Sequence, residues 1–296
     1  MSPRSRVLFA TALACTALAV LPPAPALDVQ LRASGTWADN LSRTSFAPTQ
    51  KDAAIFSAGL SATHARQLAP NWTAIFSGEL DAETVPDFDA LDRAGAGAQA
   101  TLRRKFGLGP FAPVLDLSAS LQRNEFSESG RSHWRQEIVL SFAKRLTETL
   151  RLNASGRWER HEAKGAPYDV QNRRLAFEAT WDATPRWRLR AGVSRLEGQL
   201  TANATGAIYA QALAGAFGTA IQNYYSSVPF GTTDTFGPGW VAYRVDGDAD
   251  IWWAEASLAA TDRTTLALRH EAVKFVNVVG VRYDTAFVSL HLAHRF

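Results

Sequence analysis

The chain is poor in cysteine and in long apolar stretches. Cys15 is the single cysteine among 296 residues, so a chain cleaved after this position has no thiol for a disulfide or a thiolate metal site. No run of about 18 apolar residues follows residue 26, which excludes a transmembrane helix in that part. Neither a histidine pair at i, i+4 nor a glycine-rich phosphate loop occurs, so we expect no metal and no cofactor.

An excess of charge of one sign is also missing. The chain has 31 basic and 28 acidic residues, and it contains no basic run that could follow a nucleic-acid backbone. The isoelectric point of about 9.2 therefore gives no reason to expect nucleic-acid binding, and we expect none.

The start of the chain has the pattern of a secretory signal peptide. Arg4 and Arg6 form a basic start, an apolar run over 7–21 follows, and small residues at 24–26 provide a cleavage site. The apolar run is short for a membrane anchor, so we predict that residues 1–26 are a cleaved signal peptide. An exported chain without cysteine needs another source of stability, and a closed hydrogen-bonded sheet would supply it.

The remaining residues alternate between apolar and polar side chains in twelve successive segments. The clearest is 150–159, where Leu150, Leu152 and Trp158 lie on one face and Arg151, Arg157 and Glu159 on the other. This period of two is typical of a strand between an apolar phase and a polar interior. The predicted strands are 29–37, 54–63, 72–83, 96–106, 115–122, 134–142, 150–159, 174–182, 187–194, 252–258, 266–272 and 287–296.

The connections between these strands alternate in length. Short turns follow every second strand, at 68–71, 107–113, 147–149, 183–186 and 261–264. The other connections are mostly longer and more polar, and the fifth of them, 201–248, is the longest, with a short helix predicted near 207–216. A loop of this length usually has a function, and we predict that it gates or caps the barrel, or that it presents aromatic side chains to a sugar or a protein.

The last segment carries a resemblance to a known class of proteins. Val288, Leu290, Leu292 and Phe296 share one face, and the chain stops on the aromatic residue. This segment resembles the closing strand of bacterial outer-membrane β-barrels, the porin-like superfamily. The resemblance implies that Phe296 is the signal read by the barrel-assembly machinery, and that the protein contacts outer-membrane lipid and lipopolysaccharide.

The resemblance also implies the architecture. We expect residues 27–296 to form an all-β, antiparallel, up-and-down transmembrane barrel of about twelve strands in the outer membrane of a Gram-negative bacterium, with short periplasmic turns and longer extracellular loops. The tryptophans are consistent with two interfacial belts, because an indole ring prefers the membrane boundary. Those near short turns are Trp72, Trp181 and Trp187, and those near long loops are Trp37, Trp134, Trp158 and Trp252.

The inward positions of the predicted barrel carry many charges of both signs. One interpretation is a narrow aqueous pore in which arginines attract anions; the other is a paired network that fills the lumen. We favour a small channel for polar, preferably anionic solutes, and keep a plugged barrel that anchors surface loops or a partner as the alternative. The predicted pore-lining residues are Arg151, Arg157, Arg174, Arg188, Arg190, Arg269, Glu137, Glu178 and Glu255.

A second alternative is a lipid or ester hydrolase. Ser289 and His291 are inward neighbours on the last strand, and Glu271 faces inward from the strand before it. Hydroxyl, imidazole and carboxylate are the components of a nucleophilic triad. A polar lumen also contains these residue types without catalysing anything, and the His-x-Ser order typical of outer-membrane phospholipases is absent.

Overall fold

The computed structural model describes residues 27–296, so the predicted signal peptide lies outside the described part. Two α-helices and thirteen strands are present in this part of the chain. The strands are long because each alternating segment continues beyond its most apolar part. The helices are α1 (Gly206–Leu213) and α2 (Thr219–Tyr225). The strands are β1 (Asp28–Ala38), β2 (Ala53–Ala69), β3 (Trp72–Thr84), β4 (Arg93–Lys105), β5 (Val114–Phe126), β6 (His133–Arg145), β7 (Leu150–Ala163), β8 (Val170–Asp182), β9 (Trp187–Thr205), β10 (Phe230–Thr233), β11 (Trp240–Ala259), β12 (Thr264–Asn277) and β13 (Arg282–Arg295).

Twelve of these strands form a closed antiparallel barrel. Neighbours in the chain pair with each other from β1 to β9, β9 pairs with β11, and β13 returns to pair with β1. The short strand β10 pairs with the first residues of β11, on the same edge that β12 uses further along. The predicted twelve-stranded barrel is confirmed, because closure satisfies the backbone of every barrel strand without leaving a free edge.

The connections at the two ends of the barrel differ in length, as predicted. Tight turns connect the strands at one end, called here the short-turn end, and longer segments connect them at the other, the long-loop end. The segments at the long-loop end are loop 1 (39–52), loop 2 (85–92), loop 3 (127–132), loop 4 (164–169), loop 5 (206–239) and a tight turn at 278–281.

Loop 5 is shorter than the predicted connection 201–248. β9 continues to Thr205, β11 begins at Trp240, and these two residues face each other in the ladder. Both extensions still alternate, but in β11 apolar side chains such as Val245 and Ile251 are buried and polar ones such as Asp246 and Asp250 are exposed, so this part does not show the pattern of a lipid-facing strand. The predicted helix near 207–216 is present as α1, whereas α2 and β10 were not predicted.

The outer face of the barrel is an apolar band. Large hydrophobic side chains on most of its strands are exposed there, and a soluble protein does not expose a continuous apolar surface of this kind. Trp37 and Trp134 lie toward the long-loop end and Trp181 and Trp187 toward the short-turn end, whereas Trp252, predicted near a long loop, lies nearer the short-turn end because β11 begins at Trp240. Each of the five is between 44% and 50% exposed. None of the helices between residues 27 and 296 is both long and apolar enough to cross a bilayer.

Apolar packing on the inner side is concentrated at the long-loop end. Tyr209 of α1 and Tyr225 of α2 pack with Tyr243 of β11, at centroid distances of 5.2 and 5.5 Å. The same cluster includes Phe275 of β12 and Tyr283 of β13. Loop 5 is therefore a packed element attached to three strands of the barrel wall.

Candidate functional site

Charged side chains on the inner face of β6 and β7 form one paired network. The Arg135 guanidinium lies 2.7 Å from the Glu137 carboxylate and 3.0 Å from that of Glu159. Arg157 shares Glu137 at 3.4 Å. Two predicted pore-lining residues, Arg157 and Glu137, thus neutralise each other across neighbouring strands, as partly buried charges require.

A second network joins β8, β9, β11 and β12. Arg190 lies 2.9 Å from Glu178 and 3.4 Å from Glu255. Arg269 lies 3.9 Å from the second oxygen of Glu255 and also pairs with Glu271. These contacts bring together four of the predicted pore-lining residues, and they connect strands that are distant in the sequence.

The other three predicted arginines have different surroundings. Arg188 pairs with Asp182 at 2.6 Å near the short-turn end. Arg174 donates a hydrogen bond to the Ser194 hydroxyl at 2.8 Å, and its guanidinium lies 5.3 Å from the Trp253 ring centre. Within residues 27–296, neither Arg151 nor Arg174 has an acidic partner. Of the five arginines predicted to attract anions, these two make no ion pair in the described part of the chain.

Trp253 is a lumen residue that the sequence analysis did not single out. It follows the lipid-facing Trp252, so alternation places it on the inner face, where it lies opposite Gly192 of β9. Its side chain is buried, and the guanidinium of Arg269 lies 5.4 Å from its ring centre. The glycine in an otherwise polar inner row was the available signal, because only a residue without a side chain leaves room for an indole.

The predicted hydrolase residues are not joined into a triad. The Ser289 hydroxyl accepts a hydrogen bond from Thr36 at 2.9 Å, and Glu271 is paired with Arg269. In the ladder between β12 and β13, Ser289 lies opposite Arg269. His291 lies two residues further along β13, opposite Ala267. In the described part of the chain, no hydrogen bond connects His291 with either of its proposed partners, so the arrangement provides no activated nucleophile.

A chamber of about 510 Å³ lies inside the barrel at the long-loop end. Strands supply its polar wall, including Glu159, His161 and Glu271, while loops contribute Arg43, Val85 and Phe236. About half of its lining residues are apolar. A space of this size, with mixed lining and converging loops, is the usual form of a small-molecule site.

Loop 5 crosses the long-loop end above this chamber. The middle of the loop is anchored by Tyr225, whose hydroxyl is 2.5 Å from that of Tyr283 and accepts a hydrogen bond from Asn277 at 3.2 Å. Further along, Phe236 packs with Val85 and Leu91 of loop 2. All five loops contribute to the roof of the chamber: Leu41 and Arg43 of loop 1, Val85 and Leu91 of loop 2, Arg131 of loop 3, Tyr168 of loop 4 and Phe236 of loop 5.

Glu128 of loop 3 connects three loops of the roof. Its carboxylate accepts hydrogen bonds from Tyr168 of loop 4 and from Thr233 of loop 5, both at 3.1 Å, and also from Thr235. Arg131 pairs with the same carboxylate at 2.7 Å. Burial acts to raise the pKa of Glu128, but Arg131 and these hydroxyl donors outweigh it and lower that pKa. We call this group of residues the Glu128 clasp.

Replacing Glu128 by glutamine is expected to loosen loop 5. Because a hydrogen bond to a charged group contributes about 1.5–3 kcal/mol, amide hydrogen exchange at 233–236 should accelerate by at least about tenfold. The lowered pKa means that the clasp stabilises fully above about pH 4.5 and is lost as the pH falls further through the folded value. The protection factors at 233–236, which are corrected for the slower intrinsic exchange at low pH, should therefore fall below that pH in the wild type, whereas Glu128→Gln should show no such step.

Glu125→Gln is the matched control for this experiment. Glu125 pairs with Arg123 at the exposed edge of β5 and makes no contact with loop 5. If the control accelerates exchange in loop 5 as much as Glu128→Gln does, the clasp does not hold the roof.

Comparison with known proteins supports the fold. No known family profile matches the chain, and no curated protein matches it in sequence. Among solved structures, the COG4313 outer membrane channel from Pseudomonas putida F1 is similar with a TM-score of 0.55 and 11% identity, covering 94% of this chain and 100% of that one. KdgM porin gives 0.45 and 8%, covering 90% and 99%, and the translocator domain of the autotransporter NalP from Neisseria meningitidis gives 0.41 and 8%, covering 98% and 95%. The chain therefore has the fold of the outer-membrane β-barrels, with a roofed chamber at one end of its lumen.

Proposed function

We propose that this protein is a channel for small polar solutes in the outer membrane of a Gram-negative bacterium. The observation that carries the proposal is a closed barrel with an apolar outer face, a charged inner face and an internal chamber. The outer face fits a bilayer, and the chamber leaves room for a solute beside the paired charges of the wall. In this orientation the long-loop end faces outward, and the short turns face the periplasm.

A mild preference for anions follows from the unpaired cations of the lumen. Paired arginines contribute little net attraction, because their carboxylate partners cancel them at a distance. Arg43, Arg151 and Arg174 have no acidic partner among residues 27–296, and they lie at three different places in the barrel. We infer that these residues, more than the paired ones, set the potential along the pathway.

Single-channel recording in a planar bilayer tests the proposal. The refolded protein is expected to give stepwise conductance, and a salt gradient should give a reversal potential of the sign for anion preference. The double variant R151Q/R174Q should move the reversal potential toward cation preference, and the outward-facing variant R173Q should leave it unchanged. A correctly folded barrel that never conducts would contradict the channel and favour the plugged structural barrel.

We also propose the partners that the resemblance implies. Phe296 is exposed, and its ring lies edge-on to His294 at 5.0 Å, so its side chain is accessible to an assembly factor. The outer wall beyond the apolar band carries the exposed Arg173, whose charge suits lipopolysaccharide phosphates. These features support contacts with the assembly machinery and with outer-membrane lipid.

A further inference from the structure

Arg43 of loop 1 is a cation without an anion. Its side chain lines the chamber and keeps accessible surface, although surrounding protein and the nearby Arg131 lower its pKa. Within residues 27–296 the guanidinium makes no ion pair and no hydrogen bond. The three acids of the chamber wall, by contrast, each have a partner: Glu83 pairs with Arg93, Glu159 with Arg135 and Glu271 with Arg269.

The backbone of Arg43 is held in an unfavourable conformation. Its φ of 49° makes it the one non-glycine residue with positive φ in the described part of the chain, a region that costs an L-residue roughly 1 kcal/mol. The buried Asn40 fixes the turn, because its amide donates to the Thr44 carbonyl at 3.0 Å and to the Asp284 carbonyl at 2.9 Å. Asn203 of β9 donates to the Ser42 carbonyl at 2.8 Å.

This arrangement points to a function for the arginine. Strained residues persist where the surrounding structure over-determines them, and they are concentrated at binding sites. Here a network of buried polar side chains fixes the backbone of a charged residue whose guanidinium makes no ion pair or hydrogen bond within residues 27–296. The fixed backbone places this side chain at the chamber before a ligand arrives, which lowers the cost of ordering the site.

The rest of the chamber lining defines the other half of the ligand. Ile55 of β2, Val273 of β12 and Phe287 of β13 line it from the strands, and Val85 and Phe236 line it from the roof. A ligand that consists of a charged group alone would leave these apolar surfaces in contact with water. An apolar group placed against them would gain about 25 cal/mol for each Å² removed from water.

We infer that the chamber is a binding site for a small monocarboxylic acid with an apolar body, its carboxylate held by Arg43. The planar carboxylate matches the guanidinium fork and can accept two parallel hydrogen bonds. A single negative charge is preferred because Arg43 is the one uncompensated cation among the described lining residues, while Glu83, Glu159 and Glu271 are already paired with arginines. This inference rests on the proposed channel function and specifies the class of solute that binds inside the channel.

Titration calorimetry of the full-length barrel in detergent tests the inference, with 3-phenylpropionate as the probe. The acid is expected to bind, and both propionate, which lacks the ring, and 3-phenylpropanol, which lacks the charge, are expected to bind at least about tenfold more weakly. Arg43→Gln should weaken 3-phenylpropionate by at least about tenfold and leave the binding of 3-phenylpropanol unchanged. Arg43→Asn is a second variant, since asparagine tolerates positive φ.

Arg173→Gln removes an arginine from the outer wall and is expected to bind the acid like the wild type. Equal binding of acid and alcohol, or wild-type affinity in both Arg43 variants, would overturn the role of the arginine. No binding of the acid to a barrel that conducts ions would overturn the chamber site while leaving the channel intact. Binding by a barrel that never conducts would support the site and contradict the channel.

Discussion

Replacing residues 206–239 by an Asn-Gly turn is expected to raise single-channel conductance severalfold. This segment contains α1, α2 and β10, packs against three strands at the long-loop end and contributes Phe236 to the chamber lining. Its removal takes the whole of loop 5 away from one end of the lumen, so it should have a larger effect than any single lumen substitution.

The geometry of the wall allows this replacement. Thr205 and Trp240 face each other in the β9–β11 ladder, and the next pair is already bridged, since the Gly206 amide donates to the Gly239 carbonyl at 2.8 Å. Two antiparallel strands at this separation can be joined by a two-residue type I′ turn, which Asn-Gly favours. The barrel ladder should therefore survive, with faster migration of the unheated protein than of the heated protein on an SDS gel as the check for folding.

The matched control removes a connection at the opposite end. Residues 107–112 connect two strand ends that are hydrogen-bonded in the same way, since the Phe106 amide donates to the Pro113 carbonyl at 2.9 Å. None of these residues lines the chamber. Their replacement by the same turn should leave conductance unchanged. An unchanged conductance after removal of 206–239 would show that this segment does not limit the pathway.

Much of the barrel could be predicted because its signals are local. A strand that separates lipid from a polar lumen must alternate along its own sequence, as at 150–159, and the side of each residue follows from counting by two. The lumen position of Arg190, Glu255 and Arg269 was predictable on that basis. Their pairing was not, because it depends on which strands are neighbours and on the register between them.

The chamber was outside the reach of such counting. Arg43 enters it because the turn is fixed at the neighbouring Ser42 by Asn203, and these two residues are 161 positions apart in the chain. The Glu128 clasp likewise joins residues separated by 105 and 107 positions. Loop residues carry no period, and their positions depend on tertiary hydrogen bonds that no sequence window contains. The site is recognised by a cation without a partner and not by a sequence motif.

Gly192→Ala is expected to destabilise the barrel wall. A methyl group at this position would lie 2.1 Å from the Trp253 ring, far inside van der Waals contact, and the indole is buried between the guanidinium groups of Arg174 and Arg269. Overpacking of this kind costs about 1–3 kcal/mol. Reversible urea unfolding in detergent or lipid vesicles, followed by tryptophan fluorescence, would measure the loss in the free energy of unfolding.

The steric cause can be separated from the general cost of removing a strand glycine. Gly156 of β7 has no heavy atom within 4 Å of its added methyl position, so Gly156→Ala should change the free energy of unfolding by less than about 0.5 kcal/mol. In a Trp253→Ala background, the indole is gone and Gly192→Ala should become nearly neutral, although Trp253→Ala is itself destabilising because it empties the space that the ring filled. Equal costs of Gly192→Ala in both backgrounds would mean that the indole does not set the requirement for glycine. A cost confined to the background with tryptophan would show that Gly192 and Trp253 act as one unit, a glycine that admits a large aromatic ring into the lumen wall and so narrows the pathway beside Arg174.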